Sequence, residues 1–489
     1  MNSLQNINIK LIQGLNLLSG TEFNKFIIFS SSKYFAGDRD YSKLLEILKI
    51  VHSSGFEKFN NKTMIEYLEE KSGMNKITIL NRMSELFKIY EKFIINEVLN
   101  NDKFKKTTLL LEYYLSKKSS KLFDYVLNSY RSETDKESFD TENIENEYKL
   151  TELSAIKNFR STKFKLFIEQ FSRKSEYQIF SFTIKLLKES FELKQQKING
   201  TKVDSELSDL VLANIPMKEI LVRLKNSNNN YYLLACFIYE MYLAFNDFSD
   251  TKHFKSAKEA HSKIKSELSK YENHFVYTLL ILYCINQTNL DRREFYHDLF
   301  EIIDDKLREG YFDELKIPNI PVNNFRDYVL TGLRVKKIDW VKKFILDYSP
   351  YLPVQYRQDD IFLAEGMIAI EEKKYEEAIM ILNKVKKKNY IHYLDSTFNK
   401  LRAFYELRYY YDAFKEIEKI KEYLTGNKYI PNLYMKNFSA VLHEINMLIK
   451  YSEKKTGYDN LHIYCKKNNF KLKSTWVTEE VKRIFKVKS

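Results

Sequence analysis

Glycine and proline are scarce, at 11 and 6 residues in 489, and neither occurs between Gly73 and Gly200. Sheets and tight hairpins draw heavily on both, so the shortage argues for a mostly helical chain. Cysteine is scarcer still. Cys236, Cys284 and Cys465 are far apart and odd in number, so neither a disulfide framework nor a zinc site follows from them. The first two lie in apolar runs, as small core residues do, and a reducing cytoplasm is the expected location. Long apolar runs are missing as well. The richest, Tyr231–Phe245, is interrupted by Glu240 and is shorter than the roughly 18–20 residues a membrane span requires. Met1–Lys10 lacks the basic start and apolar block of a secretory leader. No membrane partner is expected. Also missing are a phosphate-binding Gly-rich loop, a nucleophile elbow and a His-Glu-x-x-His pair, so no cofactor or metal is expected.

What the chain does have is apolar mass. Hydrophobic residues make up 44%, including 35 Phe and 36 Tyr, ample for a continuous core. The formal charge is +13, from 79 basic and 66 acidic residues. That permits nucleic acid or an acidic protein as partner, although a Lys-rich solvated surface is the plainer reading.

Asp360–Lys386 organises the rest. It reads as two helices folded back on each other, with Ile361, Leu363, Gly366 and Ala369 on the first, a break at Glu372-Lys373-Lys374, and Ala378, Ile379, Leu382 and Val385 on the second. Small residues at Gly366 and Ala378 predict close backbone approach, with larger side chains at i, i+3 and i+4 filling the seam. One such pair cannot bury its own face and needs similar neighbours. Phe325–Val335 with Ile338–Tyr348, and Tyr393–Leu407 with Tyr410–Leu424, supply them. Val341, Ala378 and Ala413 occupy equivalent points 37 and then 35 residues apart, close to the roughly 34-residue tetratricopeptide period.

Upstream, apolar periodicity predicts helices over most of the chain. Thr21 is a candidate cap for a helix carrying Phe23 and Phe26. Tyr41–Leu99 holds three helices of the size of a helix-turn-helix unit, with Lys76, Asn81, Arg82 and Lys88 near the exposed face of the third. The plainer reading is a three-helix cap with a polar outer face. Lys163–Phe171 and Tyr177–Gln195 read as separate helices, and Asp204–Leu224 and Thr251–Tyr271 as single ones. Pro318 and Pro321 mark the clearest break. After Pro431 comes a long helix, Leu433–Ser452. The stretch Lys466–Ser489 is basic, with Ser474 or Thr475 as cap of a last helix that Trp476 anchors onto the array. The expected domains are an N-terminal helical unit (1–100), an irregular array of helical hairpins (101–315), better-formed repeats (316–452) and a basic tail with a terminal helix (453–489).

Gly366, Tyr375, Ala378 and Leu382 resemble a tetratricopeptide unit, without that family's early aromatic and closing proline. More broadly, Leu18, Ser19, Glu22 and Phe26, then Met83, Ser84 and Leu86, then Phe344, Ile345, Tyr348, Tyr351, Leu352 and Pro353, resemble a large uncharacterised group of bacterial helical-repeat proteins. The resemblance implies a helical-repeat fold. It implies no catalytic residue.

Two weak constellations remain. Glu294 and His297 stand three apart, as in di-iron bundles, but those need two such pairs plus further carboxylates. Arg292 and His297 resemble the Arg-x4-His motif of HEPN-type ribonucleases, a spacing that arises readily by chance among 79 basic residues. The expectation is therefore an all-α, TPR-like solenoid acting as a non-enzymatic scaffold for a protein or peptide. Its lining would include Tyr393, Asn399, Arg402 and Tyr405 on the first helices of the pairs. The alternatives are a nucleic-acid-associated regulator using the N-terminal unit, and a HEPN-like ribonuclease.

Overall fold

The computed structural model describes residues 8–134, 140–198, 201–226, 231–312, 320–386, 389–427, 430, 432–454 and 458–486. Gly200, Pro318 and Pro431, and the polar stretches 135–139 and 227–230, lie outside the described residues. Among those described there are twenty-five α-helices and no strand, so the fold is all-α. Contacts divide the chain into two compact units, Met1–Lys136 with Glu145–Tyr177, and Glu137–Ile144 with Gln178–Ser489.

The first unit holds α1 (Lys10–Leu15), α2 (Gly20–Ser31), α3 (Lys33–Ala36), α4 (Ser42–Ser54), α5 (Asn61–Ser72), α6 (Lys76–Asn101), α7 (Lys103–Ser116) and α8 (Ser120–Thr134). It also takes most of α9 (Thr141–Arg160) and the first part of α10 (Phe164–Ile198). Its spine is α6, whose 26 residues extend about 39 Å. The stripe Ile79, Met83, Leu86, Ile89, Tyr90 and Phe93 is buried against α1, α2 and α5. Gly14 is required where α1 crosses α6, because a Cβ there would enter the Tyr90 ring. The Tyr90 hydroxyl donates to the Gly14 carbonyl at 3.0 Å. The cap of α2 is Ser19, not Thr21. The Ser19 side chain accepts from the Glu22 amide, and the Glu22 carboxylate accepts from the Ser19 amide at 2.7 Å. Only Ser19 has an acidic residue three positions on to close this reciprocal pair.

The second unit contains α11 (Glu206–Asn214), α12 (Met217–Asn226), α13 (Tyr232–Asn246), α14 (Lys252–Ile264), α15 (Lys270–Asn289) and α16 (Phe295–Arg308). There follow α17 (Val322–Arg334), α18 (Ile338–Tyr348), α19 (Val354–Glu371), α20 (Tyr375–Leu382), α21 (Tyr390–Glu406) and α22 (Tyr410–Gly426). The chain continues with α23 (Asn432–Lys454), α24 (Tyr458–Lys467) and α25 (Thr475–Ile484). From α13 onward neighbours pack as hairpins, and α17, α19, α21 and α23 also pack on one another in turn. Gly366 lets α19 approach α20, since a Cβ there would collide with Leu382. Where α9, α10 and α15 meet, Glu272 is fully buried. It accepts from Lys188 Nζ at 2.8 and 2.9 Å and from the Thr141 amide at 2.9 Å, which satisfies the buried charge.

The hairpins turn almost without glycine. Lys336, Lys373 and Arg408 adopt left-handed backbone with φ of 60°, 62° and 63°. The residue after each donates its amide five residues back: Lys337 to Gly332, Lys374 to Ala369 and Tyr409 to Phe404. This is the Schellman geometry, which usually takes glycine. Lys118, Thr162 and Asp291 make the same turn.

Four segments differ from the sequence reading. The two helices expected around Ser172–Glu176 are one, α10, because nothing in that polar run stops a helix. Pro216 splits Asp204–Leu224, and Ile215 before it is extended. The helix expected to reach Tyr271 stops at Ile264, and Ser269 caps α15 by accepting from Glu272. Helix α24 corresponds to no helix that the apolar periodicity predicts. Its Leu461 and Cys465 are buried in the same core cluster as α21–α23. The cap of α25 is Ser474, which accepts from the Val477 amide. No helix among the described residues is long and apolar enough to cross a membrane.

Candidate functional site

Two adjoining cavities open in the second unit on either side of the segment that leads into α25. The smaller, of about 400 Å3, is walled by α17, α19, α21 and α23 and includes Arg326, Glu371, Asp395, Asn399 and Arg402. The larger, of about 700 Å3, runs from the turn before α16, at Asp291 and Arg293, past His297 to Glu444 on α23 and Asn468 after α24. Arg334, Lys473, Thr475 and Glu479 line both. Each volume lies in the range that takes a small organic group or a few peptide side chains.

The dividing segment is held by few, specific contacts. Glu444 is 2% exposed and accepts the amides of Lys473 and Ser474 at 2.9 and 3.0 Å. Burial pushes its carboxyl up, and those two amides work against the rise. The Tyr405 hydroxyl donates to Glu480 at 2.7 Å, and the Trp476 ring meets the Tyr405 ring edge-on at 5.3 Å. Burial and the Glu480 carboxylate keep the Tyr405 hydroxyl protonated far above the usual range. Val477 and Val481 are fully buried beneath. Arg334 donates to Thr475 at 3.1 Å, and Lys471 pairs with Asp291 at 2.9 Å.

Charge is distributed unequally. In the smaller cavity Arg326 is tied to Asp395 and Asp327. Glu371 accepts from Lys336 at 2.8 Å and from Arg402 at 2.9 Å. Burial raises the Glu371 carboxyl, but these two cations outweigh it and hold it below the usual range. Behind this wall His392 Nδ1 lies 3.2 Å from Asp360 Oδ1, both side chains 1% exposed. The pair is within ionic reach yet lacks hydrogen-bond alignment, and neither carboxylate oxygen nor ring nitrogen has another partner. Burial, then Asp359, pushes Asp360 up to about 8. Burial pushes His392 down to about 4, against the pull of Asp395.

Of the residues expected to line a binding surface, Asn399 and Arg402 face the smaller cavity. Tyr393 and Tyr405 are buried in the seams, Tyr393 against Tyr423 at 4.4 Å and Tyr405 under Trp476. Arg292 donates to the Phe248 carbonyl, whereas His297 lines the larger cavity and Glu294 is exposed at the start of α16. Lys76, Asn81 and Lys88 are exposed on α6 of the first unit, and Arg82 lies over the Tyr41 ring at 5.5 Å. Sequence reasoning did not pick out Arg326, Arg334, Glu371 or Glu444. Helical periodicity marks which face of an element is apolar, and it carries no sign of which polar residues on distant helices converge. The density of Lys and Arg after Lys466 was the one usable signal.

Among the described residues no group of three or more His, Cys, Asp or Glu is placed to hold a metal ion. All three cysteines are free, and burial raises each thiol, Cys465 to about 11. They are held as thiols, not as nucleophilic thiolates. Comparison with protein-family models, with curated proteins and with solved structures gives no match to the chain.

Proposed function

We propose that the chain is a non-enzymatic helical-repeat (TPR-like) scaffold that binds a peptide segment of a protein partner in the cleft formed by the two cavities. The carrying observation is that the smaller cavity lies along the successive first helices α17, α19 and α21, with α23 and the start of α25 facing them, and that the larger cavity continues it past Arg334 and Lys473. Support for the repeat reading comes from the matched turns at Lys336, Lys373 and Arg408, 37 and then 35 residues apart. Three alternating helices present side chains at regular intervals, which suits an extended ligand better than a compact one. The polar groups of the smaller cavity are engaged in ion pairs that fix the wall, not in a nucleophile and base arrangement.

The test is selection from a displayed random-peptide library against the purified chain, followed by Asn399→Trp to fill the smaller cavity. Enriched peptides that lose binding to this variant, while its helical circular dichroism is unchanged, support the reading. No enrichment, or binding indifferent to Asn399→Trp, overturns it.

A further inference from the structure

We propose that the larger cavity selects an acidic peptide, with carboxylate side chains of the ligand seated on Arg334, Lys473 and Lys482. This rests on the cleft being a peptide site and adds the chemistry of its ligand.

Glu444 is occupied by two backbone amides. Asp291 pairs with Lys471 at 2.9 Å and Arg293 at 3.5 Å, and Glu479 lies 3.8 Å from Arg293. Every carboxylate of this cavity is therefore engaged. Arg334, Lys473 and Lys482 line the same space, and among the described residues none of the three has a carboxylate within ion-pairing distance. The smaller cavity is different, since its Arg326, Lys336 and Arg402 are all paired. Arg334 and Lys473 border both cavities and Lys482 only the larger, so the unpaired positive charge lies at and beyond their shared wall. Arg334 and Lys473 are exposed and reachable by a ligand, while the Lys473 charge also bears on the Glu444 carboxylate.

The rest of the lining favours a peptide over a nucleic acid. Asp291 and Glu479, each paired with a cation, also line the cavity and interrupt the continuous positive track that a phosphate backbone would follow. Of the aromatics that could stack bases, Tyr296 lies beneath Arg334 at 5.9 Å, and Tyr464 and Trp476 each pair edge to face with a neighbouring ring. Asn289 and Asn468 offer amides suited to a peptide backbone. Salt dependence is expected to be moderate, because three cations are engaged rather than a long track of them.

The test uses fluorescein-labelled Glu-Gly and Lys-Gly repeat peptides and a single-stranded oligonucleotide of equal length, with binding read by fluorescence anisotropy at low and physiological salt. The full chain is compared with Lys473→Glu/Lys482→Glu and with Lys450→Glu, an exposed control on α23. The expected result is binding of the Glu peptide alone, weakened by about tenfold or more in the double variant and unchanged in the control. Equal or tighter binding of the Lys peptide or the oligonucleotide overturns the proposal, as does Glu-peptide binding indifferent to the double reversal. If the Glu peptide fails while library peptides of other composition still bind the cleft, the charge preference falls and the peptide-site reading stands. If nothing binds the cleft, both fall.

Discussion

Asp360 and His392 form a pair that the interior tolerates best without charge. The folded Asp360 carboxyl titrates near 8 and the His392 ring near 4, against ordinary values of 3.8 and 6.5. Folded Asp360 keeps a proton that the unfolded chain loses, so its contribution to stability declines as pH rises from about 4 to 8. Folded His392 refuses a proton that the unfolded chain accepts, so its contribution declines as pH falls from about 6.5 to 4. The two slopes oppose each other below pH 6.5. Between about 6.5 and 8 only the Asp360 slope remains, and stability should fall by on the order of 1–2 kcal/mol. Urea unfolding from pH 5 to 9 measures this. Asp360→Asn, which mimics the protonated acid, should remove the decline and be the more stable form at pH 9. Parallel curves for the two proteins would show that the pair does not titrate in this window.

At the level of elements, removing a glycine and introducing one should act in opposite directions. Gly366→Ala would raise stability by about 1 kcal/mol on an exposed helix. Here the added methyl meets Leu382 across the α19–α20 seam, and a loss of about 1–3 kcal/mol is expected. Combining it with Leu382→Ala should cost less than the sum of the two single changes, as thermal melts would reveal. Conversely, Thr162 and Lys373 occupy left-handed turns at φ of 58° and 62°. Thr162→Gly and Lys373→Gly should each stabilise by about 0.5–1 kcal/mol, the former more, because a branched side chain tolerates this backbone least. A melting temperature lowered by either would refute the strain argument. These positions also mark what the sequence reveals. The helices, the Gly366 contact and the anchoring role of Trp476 were legible, since each depends on local periodicity or on a single conspicuous residue. The turns were seen only as breaks, because lysine and threonine do not announce left-handed backbone as glycine does. Helix α24 was missed because Leu461 and Cys465 make too short a stripe. Asn399 and Arg402 face the smaller cavity, but the charges beside them come from other helices, which local periodicity does not relate.

At the scale of the whole molecule, the hairpins from α17 to α21 are fastened to one another by ion pairs. Glu371 at the end of α19 receives Lys336 from the preceding turn and Arg402 from α21, and Glu372 receives Lys342 and Lys374. Exposed pairs of this kind are individually weak, but Glu371 is largely buried and its loss would leave Arg402 without a counterion. Glu371→Gln should therefore cost about 1–2 kcal/mol in urea unfolding. It should also tighten acidic-peptide binding severalfold by anisotropy, because two cations of the smaller cavity are released. A variant that loses both stability and affinity would contradict this division of roles. The wall of the cleft thus carries a resident anion of its own. A negative group of the ligand could reach Arg402 and Lys336 only by trading places with Glu371, for no net gain, and is left to Arg334, Lys473 and Lys482. The resident anion would therefore set where along the cleft the charge of a partner must fall.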